Sequence, residues 1–251
     1  MMQRYFVNKE QINENTISIV GDDVHHITRV LRMTEGDEIL CSCQDTKKTA
    51  HCKIDEISNE QIIAHVVKWV EANSELPVRV TIASGLPKGD KLEWIIQKGT
   101  ELGAESFIPF NAARSIVKWD EKKGGKKVER WSKIAKEAAE QSHRVTIPTI
   151  HSPFSFKQLC EVSTQYDKKI VAYEEEAKRG EKSAFAKVLA EMKANESVLI
   201  VFGPEGGLSD KEVDTLIDLG FVSCSFGPRI LRTETAPLYG LAAISYHFEL
   251  M

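Results

Sequence analysis

Residues 202–209 read Phe202-Gly203-Pro204-Glu205-Gly206-Gly207-Leu208-Ser209. Immediately before them, Val198-Leu199-Ile200-Val201-Phe202 is an unbroken apolar run, the pattern of a strand buried on both faces. Immediately after, Ser209 stands three residues ahead of Glu212, the spacing of a helix capping box. Strand, glycine loop and helix in that order predict one repeat of an α/β fold. Three glycines beside a proline let backbone amides approach a ligand closely, where a mere tight turn would need only one. The loop is not Gly-x-Gly-x-x-Gly, nor does it carry the Lys-Ser/Thr of a phosphate loop, which disfavours a dinucleotide-dependent dehydrogenase or a P-loop ATPase.

The alternation extends outward from this repeat. Upstream, strand-like residues 78–83, 107–110 and 169–173 alternate with helical periodicity over 90–102, 128–141 and 181–192. Downstream come a helix over 209–219, a strand over 221–226 and a helix over 235–248. This is the grammar of a mostly parallel sheet covered on both faces, which binds ligands at the carboxyl ends of its strands. The loops after Tyr173, Phe202 and Phe226 are therefore the candidate site. The last of these reads Gly227-Pro228-Arg229-Ile230-Leu231-Arg232-Thr233-Glu234-Thr235-Ala236. Thr233 or Thr235 can cap the following helix, but Arg229, Arg232 and Glu234 between a buried strand and an apolar helix are hard to explain by packing. In that helix Ala236, Leu238, Leu241, Ala242, Ala243, Ile244 and Phe248 spread apolar surface around the circumference, as core or as an interface.

Residues 1–72 have a different texture. Short alternating segments at 17–20, 38–41, 52–54 and 62–67 predict a small β-rich domain, and the polar, proline-containing stretch 71–77 serves as a linker to the α/β domain over 73–251. One helix interrupts the strands: residues 22–32 place Val24, Ile27, Val30 and Leu31 on one face, with Arg29 and Arg32 projecting from a neighbouring stripe. Cys41 and Cys43 alternate with polar Ser42 as strand residues do. With Cys52 they lack Cys-x-x-Cys spacing and read as buried free thiols, and the scattered histidines show no metal pattern either, so no metal is expected.

A chain of 251 residues suits two domains of ordinary size. Its 42% hydrophobic and 28% charged composition excludes disorder. The first ten residues lack the apolar core of a signal peptide, and no run approaches the ~20 apolar residues of a membrane span, so a cytoplasmic protein with no membrane partner is expected. The net charge of −4 argues mildly against a nucleic-acid partner, yet Arg114, Lys118, Lys122, Lys123, Lys126, Lys127, Arg130, Lys133 and Lys136 face only Asp120, Glu121 and Glu129 in the same stretch. Lysines 122–127 read equally as RNA contacts or as a solvated loop with Gly124-Gly125 at its tip.

The GPEGG run at 203–207 followed by GPRILRTETA at 227–236 resembles the SPOUT superfamily, specifically the RsmE family of 16S ribosomal RNA uridine N3 methyltransferases. Arg4-Tyr5-Phe6, His25-His26-Ile27-Thr28-Arg29-Val30-Leu31-Arg32, Lys91-Leu92-Glu93-Trp94, Lys98-Gly99-Thr100-Glu101-Leu102-Gly103, Arg114-Ser115 and Glu140-Gln141-Ser142-His143-Arg144 are similar to further family motifs. Gln3 before Arg4 and Ala113 before Arg114 depart from the pattern. The resemblance implies a PUA-like RNA-binding domain followed by an α/β domain tied in a trefoil knot, a topology ordinary rules would exclude. It also implies a homodimer acting on 16S rRNA of the small ribosomal subunit.

S-adenosyl-L-methionine is the implied cofactor. By the same resemblance it is held by Tyr173, Phe202, Gly203, Pro204, Glu205, Gly206, Gly207, Ile230, Leu231, Thr235 and Ala236. RNA is met by Arg4, Arg29, Arg32, Arg114, Lys118 and Arg144. Glu205 or Glu234 is expected to take the imide proton and Arg232 to steady the uracil oxygens, although Glu234 reads equally as an ion-pair partner of Arg232. A SPOUT enzyme methylating a ribose hydroxyl and a non-catalytic ribosome-assembly factor are the competing readings.

Overall fold

The computed structural model describes residues 2–71, 74–117, 121–175 and 183–251, with the backbone alone for 121–123. Contacts divide the chain into a first unit, Met1–Glu75 with Ala139–Ile147, and a second, Leu76–Ala138 with Pro148–Met251. Residues 72 and 73, between which the sequence suggests the boundary, lie outside the described residues, and the division by contacts falls just beyond them.

The first unit is built on a six-stranded sheet of β1 (Gln3–Val7), β2 (Ile12–Asn13), β3 (Thr16–Val20), β4 (Glu38–Cys43), β5 (Lys48–Ile57) and β6 (Gln61–Val70) in the order β1-β4-β5-β6-β3-β2. β1 runs parallel to β4, and the other pairs are antiparallel. Alternate residues such as Ile17, Ile19, Ile39, Cys41, Ile62 and Ala64 make its core, the period-2 signature of a half-buried strand. Cys41, Cys43 and Cys52 are buried free thiols. Ser42 is buried as well, because β4 is covered on its other face by Arg4.

The helix after β3 is not one regular element. α1 (Asp22–His25) passes into a π-helical stretch, His26–Val30, where the amide of Leu31 donates to the carbonyl of His26, and the amide of Met33 then donates to Ile27. The wider turn rotates the apolar face. Val24 and Ile27 are buried, but Val30 is 59% exposed and Met33 packs on the core instead. Of the expected face, Val24 and Ile27 are buried, Leu31 is half-buried and Val30 is exposed.

In the second unit all strand pairs are parallel: β7 (Arg79–Gly85), β8 (Ser106–Asn111), β9 (Thr149–Ile150), β10 (Phe154–Ser155), β11 (Lys168–Ala172), β12 (Ser197–Phe202) and β13 (Val222–Cys224). Their order is β10-β8-β7-β12-β11-β13, with β9 beside β8. Every residue of β12 is buried, as a central strand with helices on both faces requires. The helices are α2 (Lys91–Glu101), α3 (Glu121–Gln141), α4 (Phe156–Val162), α5 (Ala184–Glu191), α6 (Asp210–Asp218) and α7 (Thr235–Glu249). α3 begins earlier than its periodicity suggests and carries Gly124 and Gly125 inside it, so these glycines are not a loop tip. α7 buries Pro237, Gly240, Leu241 and Ile244 and leaves Tyr239, Ala242, Tyr246 and Leu250 along an exposed stripe.

Candidate active site

β12, β11 and β13 are neighbours, so the segments that follow them emerge side by side at one edge of the sheet. They line a cavity of about 810 Å³. The first wall is the glycine loop. The amide of Gly207 donates to the carbonyl of Pro204 at 2.8 Å, closing a turn in which Gly207 adopts φ +70°. A Cβ on Gly203 would stand 2.8 Å from both the carbonyl carbon of Gly207 and the nitrogen of Leu208, so no other residue fits without moving the turn. Ser209 and Glu212 form the capping box the spacing predicts, and Glu212 also accepts the amide of Ala113 at 2.8 Å, tying α6 to the segment after β8.

The second wall is the loop after β13. Its last residues wind directly into α7, with the amides of Thr235 and Ala236 donating to the carbonyl of Arg232. The residue ahead of α7 is Glu234, already in helical conformation, so neither threonine caps the helix. Of the residues assigned to the cofactor from sequence, Tyr173, Phe202, Gly203, Pro204, Glu205 and Gly206 line the cavity. Gly207, Ile230, Leu231 and Ala236 line it too. Thr235 does not; it is exposed at the first position of α7. Arg232 and Glu234 stand outside the lining, Arg232 exposed to solvent. Phe226 also lines it, edge-on to Phe202 at 5.4 Å and to Tyr239 at 6.4 Å.

Charged groups crowd the rim. Tyr173 donates its hydroxyl to Asp210 at 3.2 Å. Glu205 accepts the ammonium of Lys91 at 2.8 Å and the amide of Lys88 at 3.1 Å on one oxygen. Burial would raise the Glu205 carboxyl, but the Lys91 hydrogen bond and backbone amides outweigh it and hold the group below the usual carboxylate range. The Glu205 contact in turn raises Lys91 above the ordinary lysine value. Lys91 also lies 3.6 Å from Glu234. In the sequence Lys91 stands only within the family-like run Lys91-Leu92-Glu93-Trp94; its place past the carboxyl end of parallel strand β7 is the signal that marks it for the site.

The arginines assigned to RNA separate into distinct groups. Arg4 is 4% exposed, and its guanidinium donates to Ser42 Oγ (2.9 Å), Thr49 Oγ1 (3.2 Å) and the carbonyl of Arg144 (3.1 Å). Arg144, 2% exposed, is paired with Glu75. Both guanidinium groups are thus buried among protein acceptors, although Nε of Arg4 has no hydrogen-bond partner among the described residues. Arg114 is exposed but lines the cavity, its Nη1 donating to the carbonyl of Gly206 at 3.2 Å. Arg29 and Arg32 are exposed on the first unit. Lys118 lies outside the described residues. Among the described residues no group of three or more His, Cys, Asp or Glu is placed to hold a metal ion, and no helix is long and apolar enough to cross a membrane.

Residues 74–245 match the family model of the RNA methyltransferase domain, and residues 19–67 match that of the RNA methyltransferase PUA domain. Fold and site therefore define an RNA methyltransferase. Ribosomal RNA small subunit methyltransferase E of Bacillus subtilis is 56% identical, over 100% of this chain and 98% of its own length. This chain belongs to the ribosomal RNA small subunit methyltransferase E family. The Neisseria gonorrhoeae member solved with S-adenosyl methionine superposes with a TM-score of 0.83 at 25% identity, covering 98% of this chain and 97% of that one. A Legionella pneumophila methyltransferase solved with the same cofactor gives 0.83 at 28% identity, with the same coverage.

Proposed function

We propose that this chain methylates N3 of a uridine in the 16S rRNA of the small ribosomal subunit, with S-adenosylmethionine as donor. The observation that carries the reading is the convergence of the loops after β11, β12 and β13 on one cavity of about 810 Å³. Its lining fits the donor. Phe202, Phe226 and Leu231 offer apolar and aromatic surface for a purine, while Gly206 and Gly207 let backbone come close. Glu174, Glu175 and Asp210 offer carboxylates to an ammonium and a sulfonium, and Arg114 and Arg229 offer guanidinium groups to a carboxylate. When bound, the donor supplies an electrophilic methyl group.

The chain's own residues must then hold the uracil in line and remove its N3 proton. Glu205, ionised and lining the cavity, accepts that proton in this reading, and solvent-exposed Arg232 steadies the oxygens of the uracil anion. Glu234 stands outside the lining, which favours Glu205 as the acceptor. N3 lies on the Watson-Crick edge, so the base is taken unpaired or flipped. Arg29 and Arg32 on the first unit, read as a PUA-like domain over 1–72, supply RNA contacts. The α/β domain over 73–251 carries the trefoil knot in this reading. The stripe of Tyr239, Ala242, Tyr246 and Leu250 is the homodimer face, and the cytoplasm is where the enzyme meets its subunit.

Incubating the protein with labelled donor and undermodified small subunits, then mapping the methyl group, tests the reading. A methyl on N3 of one 16S uridine is expected; a methyl on a ribose oxygen, or none, overturns it.

A further inference from the structure

The N-terminal end of α2 stands directly behind the glycine loop. A Cβ on Gly85, the last residue of β7, would lie 2.5 Å from Cδ of Pro204, so the strand end and the loop are in close contact. Three residues on, the amide of Lys88 donates to Oε1 of Glu205 at 3.1 Å, and Lys91 Nζ donates to the same oxygen at 2.8 Å. That ammonium is also 3.6 Å from Oε2 of Glu234, a buried oxygen with no hydrogen-bond partner among the described residues. One cation thus sits between two carboxylates, and each belongs to a different loop bounding the cavity.

Without that cation the arrangement is unfavourable. Two anions would face each other, one of them with an oxygen that water does not reach. We propose that Lys91 is a positioning residue for the donor site: its ammonium clamps the loop of residues 203–207 to the loop of residues 228–234 and so sets the spacing of the two walls. Both hydrogen bonds fall on one oxygen of Glu205, so the same contact orients the carboxylate of a residue that lines the cavity. The inference rests on reading this cavity as the S-adenosylmethionine site.

Lys91 side-chain charge, not bulk, is what the clamp uses, and Lys91→Met keeps the unbranched stem while removing it. Because the lysine is about one-third exposed, solvent screens the pair and the effect is modest. Calorimetry with S-adenosylmethionine on the wild type, Lys91→Met, Lys91→Arg, Glu234→Gln and the Lys91→Met/Glu234→Gln double variant reads it. Lys91→Met is expected to weaken binding about fivefold. Lys91→Arg should bind nearly as the wild type does. The double variant should recover most of the loss, since neutralising Glu234 removes the repulsion, a recovery that a merely space-filling lysine does not produce. Wild-type affinity in Lys91→Met, or a double variant as weak as Lys91→Met, overturns the proposal. If the wild type itself does not bind the donor, the cofactor reading fails. Thermal unfolding of the same set without donor then decides the clamp by itself: non-additive effects at positions 91 and 234 support it, and additive ones overturn it.

Discussion

Gly203 lines the site, Arg232 stands outside the lining on the loop before α7, and the two answer to different physics. An alanine at 203 would bring its Cβ within 2.8 Å of backbone at Gly207 and Leu208, atoms that no side-chain rotation can move. Gly203→Ala should therefore lower donor affinity at least tenfold by calorimetry while leaving the unfolding temperature within a few degrees, because the strain falls on a surface turn and not on β12. Arg232 is exposed and lies outside the cavity lining. Arg232→Ala should retain donor binding and lose methyl transfer by 10²-fold or more, the order expected when a charge-stabilising group is removed. Unchanged turnover would take Arg232 out of the mechanism. The capping pair Ser209 and Glu212 was legible in the sequence because both partners lie within four residues. The burial of Arg4 was not, since its acceptors are 38, 45 and 140 residues away along the chain.

Between elements, the segment Ala139–Ile147 joins the first unit through Glu75, which accepts from the guanidinium of Arg144 and from the amides of Val145 (2.9 Å) and Thr146 (3.2 Å). Burial would raise the Glu75 carboxyl, but Arg144 and these donors hold it below the ordinary range. A depressed carboxylate stabilises the fold fully above its unfolded value, and that stabilisation is lost as pH falls through the folded one. Glu75→Gln should cost about 3 kcal/mol at neutral pH by denaturant unfolding, as expected for removing one partner from a largely buried pair. The cost should shrink as the pH falls below about 4. α3 gives an electrostatic counterpart. Its basic residues Lys122, Lys123, Lys126 and Lys127 precede a run whose periodicity is plainly helical; in sequence a loop tip at Gly124-Gly125 is one of two equal readings of the stretch, and the glycines lie inside the helix. Neutralising the four should reduce the salt slope of RNA binding in a filter assay by about 3 if they contact phosphates. An unchanged slope would show that they make no phosphate contact. The π-helical stretch at His26–Val30 was illegible for a related reason: a 3.6-residue period assumes regular hydrogen bonds, and one inserted residue shifts every later side chain.

For the molecule as a whole, α7 carries the surface that one chain does not cover. Tyr239, 42% exposed, and Tyr246, 59% exposed, lie along it with Ala242 and Leu250. A Tyr246→Asp variant is expected to shift the mass seen by light scattering from dimer to monomer, because a carboxylate has no partner in an apolar interface; a monomeric wild type would remove the dimer from the reading. The parallel α/β class, the β-rich N-terminal part and the glycine loop with its capping box were determined by the sequence itself, because each depends on neighbours within a turn or a strand. Only the tertiary structure decided that Arg4 and Arg144 are buried, that Arg114 lines the cavity and that Lys91 joins Glu205 to Glu234. Those outcomes depend on partners brought together from distant parts of the chain, and a charged side chain reads the same in sequence whether its partner is water, a phosphate or a buried carboxylate.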